Sequence, residues 1–252
     1  MDLNSLALLY AALTASSLFA RTARAPRKQW DWLAVCTVVL GAAGAGWLLF
    51  PSIAGYVAGG LALVLILLPS WVNSAASRAS KASRHGRAHF YAVLGMVLHP
   101  SRDRRVLPGL FAAFQLAYDG KTGEADARLQ RLAEADEDFA ATAAAHRLRI
   151  WRRWREIKTL VERPESGATV NAALLALYVR ALGELGYTEQ MAQFMASNEA
   201  TLSASGALEL TLLPLFAFTG QVDLTRQLLG EASEGFSEET RAYWLAVADQ
   251  YA

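Results

Sequence analysis

No charged side chain stands between Asp31 and Arg78 of this 252-residue chain, and within that stretch two apolar runs are broken only by Pro51-Ser52. Each run is about 17–19 residues, enough at ~1.5 Å per residue to cross most of a ~30 Å hydrocarbon layer. A backbone in lipid must satisfy its own polar groups, so such runs fold as helices. The stretch from Trp32 to Leu68 therefore reads as a helical membrane hairpin that turns at Pro51-Ser52.

The run from Leu3 to Ala20 is equally apolar, and charge placement separates a cleaved leader from a retained span. A secretory leader carries cations before its apolar core. Here only Asp2 precedes the core, while Arg21, Arg24, Arg27 and Lys28 follow it. The expectation is three transmembrane helices, over residues 3–20, 32–50 and 53–72, in a membrane domain of residues 1–72. Lys and Arg are retained in the cytoplasm, and two cationic clusters need that side, Arg21 to Lys28 and Arg78 to Arg87. An external N-terminus satisfies both. Trp30, Trp32 and Trp71 then fall at the inner interface, and Trp47, Phe50 and Tyr56 near the outer one, the depths such rings prefer. This predicts a multi-pass protein of the inner (cytoplasmic) membrane with a cytoplasmic C-terminal domain. Small residues at four-residue spacing, Gly41 and Ala45, Ala42 and Gly46, Gly55 and Gly59, predict close packing of the second helix on the third.

Residues 73–103 read as a basic juxtamembrane linker followed by an amphipathic helix. Arg78, Lys81, Arg84 and Arg87 stand among Ser and Ala and are expected to contact anionic lipid headgroups, each contributing about 1 kcal/mol. Phe90, Val93, Leu94, Val97 and Leu98 then follow at helical spacing as far as Pro100. A net charge of +1 hides a gradient, because from Glu184 onward the acids face only Arg226 and Arg241. The single cysteine, Cys36, lies in an apolar run, which excludes a disulfide framework and a multi-cysteine zinc site.

Residues 104–252 carry an internal period. Tyr118-Asp119-Gly120-Lys121-Thr122, Glu184-Leu185-Gly186-Tyr187-Thr188 and Phe218-Thr219-Gly220-Gln221-Val222 align as turns. Gly186 and Gly220 are 34 residues apart, and Gly120 lies about two such periods earlier, which is the tetratricopeptide period. Gly adopts the left-handed conformation that closes one helix and lets the next fold back. The missing turn falls near Arg153, where no Gly stands, so that place holds either a degenerate turn or one longer helix through Ile150, Trp154, Ile157 and Leu160. Large residues mark the first helix of each pair: Leu107, Leu110, Phe111, Phe114 and Tyr118; Leu174, Leu177, Tyr178, Ala181 and Leu182; Leu208, Leu212, Leu215, Phe216 and Thr219. One pair cannot bury such a face alone, so neighbouring pairs stack. The expected fold class is all-α, three transmembrane helices followed by a tetratricopeptide-like α-solenoid. The last helix, from Thr240, reads as a cap or as the first half of a further pair.

Residues for catalysis are not grouped in this chain. His85 and His89 share a helical face without an acid or third ligand beside them, so headgroup contact is expected rather than metal binding. His99 and His146 stand alone. Ser203-Ala204-Ser205-Gly206 lacks the first Gly and the preceding strand of a nucleophile elbow and reads as a helix terminus. There is no Gly-rich phosphate loop, and the spans contain no charge to carry ions or protons. No catalytic residue, metal ligand or cofactor is expected, and no small-molecule substrate is evident. One basic and aromatic cluster remains: Arg147, Arg149, Trp151, Arg152, Arg153, Trp154, Arg155 and Lys158. Acids from Glu134 to Asp138 balance it, so acid pairing is expected ahead of leaflet contact or a partner site, and nucleic acid is not expected.

A leading span, a Trp-flanked hairpin reading Phe50-Pro51-Ser52-Ile53-Ala54-Gly55-Tyr56-Val57-Ala58-Gly59-Gly60 and ending Leu67-Leu68-Pro69-Ser70, His99-Pro100 after a basic helix, and helical repeats beyond together resemble the N-terminal, non-catalytic region of bacterial rhomboid-family proteins. That family of intramembrane serine proteases uses a Gly-x-Ser-Gly serine and a histidine on another span, and neither pattern stands here. The resemblance implies an accessory or regulatory part without the catalytic domain. The residues themselves point to a membrane-anchored protein-interaction adaptor that binds another protein through the repeat groove, where polar side chains clamp a partner segment. Gln115, Asn171 and Arg180 are the candidate contacts.

Overall fold

The computed structural model describes residues 2–24, 30–163, 172–205, 208–231 and 236–252. Among them every regular element is helical. The chain divides into two compact units, Met1–Ala76 with Phe90–Arg105, and Ser77–His89 with Val106–Ala252.

In the first unit α1 (Leu3–Ala23), α2 (Trp30–Leu49) and α3 (Ala54–Ala62) pack against one another. A π-helical segment, Leu63–Leu67, carries α3 into α4 (Leu68–Lys81). Among the described residues three helices are long and apolar enough to cross a membrane: Leu3–Ala23, Trp30–Leu49 and Ala54–Lys81. The third runs well past residue 72, although Pro69 lies inside it. Proline lacks an N–H and crowds the carbonyl four residues back. The widened turn just before it accommodates this, with Leu68 N–H reaching Leu63 O, five residues back.

Small residues build the interior of this unit: Ala11, Ala15, Ala43, Ala58 and Ala62, with Val39 and Ile66. Leu9, Leu13, Val38, Trp47, Leu48 and Val57 are exposed. Large apolar groups outside and small ones inside is the arrangement suited to lipid, where close backbone approach replaces hydrophobic burial. The small-residue spacing of α3 serves α1, however, and not α2. A Cβ at Gly59 would stand 3.2 Å from that of Ala7, and one at Gly55 would overlap Asn4. Gly41 meets nothing, and only Gly46 closes on α3, at Ala54.

Asn4 explains the preference. Its Nδ2 donates to Pro51 O at 2.8 Å, and its Oδ1 accepts from Gly55 N at 2.8 Å and Tyr56 N at 3.3 Å. The first N–H groups of a helix have no partner within it, so one α1 side chain caps α3 from outside and holds the hairpin turn.

The second unit is a succession of helix pairs. It contains α6 (Arg102–Tyr118) from Val106 on, α7 (Thr122–Ala135), α8 (Glu137–Ile150), α9 (Trp154–Glu162), α10 (Ala172–Glu184), α11 (Thr188–Ser205), α12 (Leu208–Phe218), α13 (Val222–Glu231) and α14 (Glu238–Tyr251). Its start includes the first residues of α5 (His85–Leu98). Beyond α6, whose Gly109 abuts Leu132 of α7, helices pack on their sequence neighbours and on the next pair: α8 on α10, α10 on α12, α12 on α14. Apolar clusters follow in chain order, around Leu110 and Leu129, around Ile157 and Leu174, and around Leu182, Phe218 and Trp244.

One turn closes the hairpins. Left-handed residues stand at Ser83 (φ 56°), Gly120 (77°), Arg152 (53°), Gly186 (75°) and Gly220 (70°). In each case that residue's N–H reaches the carbonyl three back, and the following N–H reaches the carbonyl five back, as in Gly186 to Gly183 and Tyr187 to Leu182. This doubly bonded loop satisfies carbonyls left open at the helix end. The place near Arg153 therefore holds a degenerate turn and not a longer helix, with Arg152 in the glycine position and Arg153 N bonded to Leu148 O at 2.8 Å.

The α12 face also differs from the sequence reading. Thr211, Leu213, Pro214, Ala217 and Phe218 are buried in it, whereas Leu212, Leu215 and Phe216 are only partly covered. A helix enclosed by α10, α11, α13 and α14 buries more than one stripe, so a single helical period does not identify its core.

Candidate functional site

The residues capable of recognition gather where α6, α8, α10 and α14 meet. The end of α14 nearest its start lies beside α6: Tyr118 Oη donates to Glu239 at 3.4 Å, and the Ser83 and Ser237 hydroxyls are 3.3 Å apart. Ser237 also caps α14, accepting from Thr240 N.

Arg180 of α10 lies at the centre. Its guanidinium carbon is 5.4 Å from the ring centroids of both Trp154 and Tyr243 and 5.1 Å from that of Trp244. Three such contacts hold a planar cation in place. Glu184 pairs with it at 3.3 Å and accepts from Tyr243 Oη at 2.7 Å, so cation, acid and phenol form one network. Burial, with Glu184, pushes the Tyr243 phenol above its ordinary pKa against the opposing pull of Arg180. The Arg180 side chain is still 27% exposed, enough to be touched from outside.

Arg149 lies nearby on α8, its guanidinium 5.3 Å over the Phe114 ring. Burial, and then the charge of Arg180, pull its pKa down to about 10. Among the described residues no carboxylate pairs with it. One helical turn earlier, His146 is 7% exposed, its ring edge-on to Phe114 at 4.9 Å. Burial and Arg149 lower its pKa to about 3, so it is neutral, and its buried Nδ1 has no hydrogen-bond partner among the described residues.

Arg147, Arg153 and Lys158 of the basic cluster are acid-paired. Arg147 makes a two-pronged bond to Asp126 at 2.9 and 3.0 Å, which Trp151 Nε1 joins at 3.3 Å. Arg153 pairs with Glu156, and Lys158 with Glu162 at 2.7 Å. Burial opposes ionisation of Glu162, but bonds from Lys158 and Tyr178 outweigh it and lower its pKa.

The histidines do not lie as the sequence implied. His85 turns inward, its ring 5.8 Å from Phe114 and 6.0 Å from Tyr118, and His89 Nδ1 is 2.8 Å from Pro108 O. Aromatic rings and a helix carbonyl of the protein itself engage these rings. His99 is not isolated in the first unit. It stacks on Trp32 at 4.2 Å, and its Nε2 lies 3.0 Å from Asp31. Arg104 lies 5.4 Å over the same indole and donates to Gly95 O. This joins the base of α2 to the end of α5.

Of the candidate contacts, Arg180 lies in the site. Gln115, on α6 beside Phe114, is occupied by Asp119 at 2.8 Å, and Asn171 lies outside the described residues. Arg78, Lys81, Arg84 and Arg87 are all exposed. Sequence reasoning missed Arg149 and His146. Their three-residue separation places both on one face of α8, a signal that was obscured by counting Arg149 among solvent-facing cations. No group of three or more metal-binding side chains occurs among the described residues. No protein-family model, curated protein or solved structure matches the chain.

Proposed function

We propose that this chain is a membrane-anchored protein-interaction adaptor, with three spans of the inner membrane holding a tetratricopeptide-like solenoid in the cytoplasm. The observation that carries the reading is the recurrence of one doubly bonded turn at Gly120, Arg152, Gly186 and Gly220, at spacings of 32, 34 and 34 residues. A stack of such pairs presents its first helices, α6, α8, α10, α12 and α14, along one groove. Exposed large apolar residues on α1 to α3 support the anchor, and the exposed cations from Arg78 to Arg87 support contact with anionic headgroups. Recruitment, not catalysis, is the mechanism.

Photo-crosslinking in native membranes tests this. A benzophenone amino acid at Tyr243, on the groove side, is expected to give discrete protein adducts. The same group at exposed Leu224 of α13 is expected to give none. Identical adduct patterns at both positions, or none at either, would contradict the reading.

A further inference from the structure

We infer that the C-terminal turns of α5, Tyr91 to Leu98, enter the cytoplasmic leaflet without crossing it, so that Val93 and Val97 lie against lipid acyl chains. This placement rests on the topology proposed above and adds a fourth, non-spanning helix to the part of the chain held in the bilayer.

The two faces of α5 are the reverse of what water selects. Ala92, Gly95 and, just past the helix, His99 are buried on one side, at the spacing of a single helical stripe. Phe90, Val93 and Val97 stand on the opposite side, and all three are exposed. A helix in water turns its large apolar residues inward. Here the small residues and an imidazole go in and the large apolar ones stay out, as on α1 to α3, where the arrangement suits lipid. The polar groups at this end are engaged by the protein. His99 Nε2 lies 3.0 Å from Asp31, and the buried Arg104 lies over the Trp32 ring on which His99 stacks. Neither cationic side chain is left on the outward face.

Neighbours within the first unit set the depth. About 20 residues of helix fill a ~30 Å hydrocarbon layer, and counted from Ala54, beside the hairpin turn, they end near Asn73 of the helix Ala54–Lys81. Gly95 of α5 lies against that last embedded turn, because a Cβ there would stand 3.5 Å from Val72 Cγ1. Val72 itself is fully buried. Tyr91 meets Trp71 edge-on at 6.3 Å, and His99 reaches Trp32 at the base of α2. Both indoles belong to the belt at the inner interface, the depth such rings prefer. Beyond Gly95 the helix therefore runs inward, which puts Val97 below the headgroups, Val93 at their boundary and Phe90 nearest water. With 14 residues, α5 is about 21 Å long, too short to cross the layer. Trp71 is exposed and carries the lipid-facing surface of the third span as far as Tyr91, so the solvent of that span covers α5 as well.

Nitroxide accessibility tests this on the full chain in nanodiscs of phosphatidylcholine and phosphatidylglycerol. In a Cys36→Ser background, Phe90→Cys, Val93→Cys and Val97→Cys are labelled one at a time, with Val38→Cys on α2 as the lipid reference and Leu224→Cys on α13 as the water reference, both native side chains being exposed. The readout is the ratio of collisions with oxygen, which concentrates in acyl chains, to collisions with a water-soluble nickel chelate. That ratio is expected to rise from position 90 through 93 to 97, and at 97 to exceed the Leu224 value at least fivefold. A Val97 ratio equal to that of Leu224 would overturn the inference by putting this face in water. A label at Val97 reached by neither reagent would overturn it by putting a second copy or another protein there. In both cases a high ratio at Val38 leaves the membrane anchor standing. A Val38 ratio as low as that of Leu224 would remove the anchor itself, and the leaflet-embedded helix with it.

Discussion

His146 is the residue whose burial has the clearest consequence in solution. Folded, its pKa is held at about 3, against an ordinary value of 6.5. Above the ordinary value both states are neutral. As pH falls from there toward 3, the unfolded chain binds a proton that the folded chain refuses, so stability declines across that window. His85, displaced in the same direction, adds to the slope. Thermal melts at pH 7.5 and 5 should show a fall for the wild type and a smaller one for His146→Gln, while parallel shifts would place the titrating group elsewhere. Arg152 provides a second residue-scale test. A non-glycine side chain in the left-handed region costs about 1–2 kcal/mol, and glycine returns about 0.5–1 kcal/mol of that as chain entropy. Arg152→Gly should therefore stabilise by about 0.5–1 kcal/mol, read as a small rise in melting temperature, and a fall would show that the guanidinium makes a contact that matters.

At the scale of elements, the bond set of Asn4 predicts a large effect from a small change. Asn4→Ala leaves the buried Gly55 N–H and the part-buried Tyr56 N–H without this partner, at about 1–3 kcal/mol. Thr37→Ala removes only a bond to Leu33 of its own helix and should change stability by less than about 0.5 kcal/mol. Unfolding of the two variants from mixed micelles compares them directly, and equal losses would contradict the cap. The turn glycines and the long apolar runs were legible in the sequence because each is a local signal, a backbone conformation or a length. What was not legible depends on distant partners. Asn4 gives no local signal because its acceptor and donors lie about fifty residues away, and the course of the third helix past residue 72 depends on a π-turn that composition does not reveal. The inward course of His85, His146 and Arg149 depends on which helix face a neighbour covers, and a charge count along the chain does not contain that.

The whole molecule combines two kinds of surface. Around α1 to α3 large apolar residues face outward, and in the second unit they pack largely on neighbouring helices, as suits a chain that the proposed function sets in two solvents. On α5, Phe90 and Val97 are 64% and 69% exposed, which extends the outward-facing apolar character to the end of the first unit. In the proposed topology the hairpin turn at Pro51-Ser52 is external and the repeats are cytoplasmic. That arrangement is the central claim, because recruitment from the cytoplasm fails without it. In a Cys36→Ser background, single cysteines placed by Ser52→Cys and Ala252→Cys can be challenged with a membrane-impermeant maleimide on intact cells. The account predicts that the cysteine at 52 is labelled at once and that the one at 252 is labelled only after permeabilisation. Labelling at 252 in intact cells, with 52 protected, would contradict it.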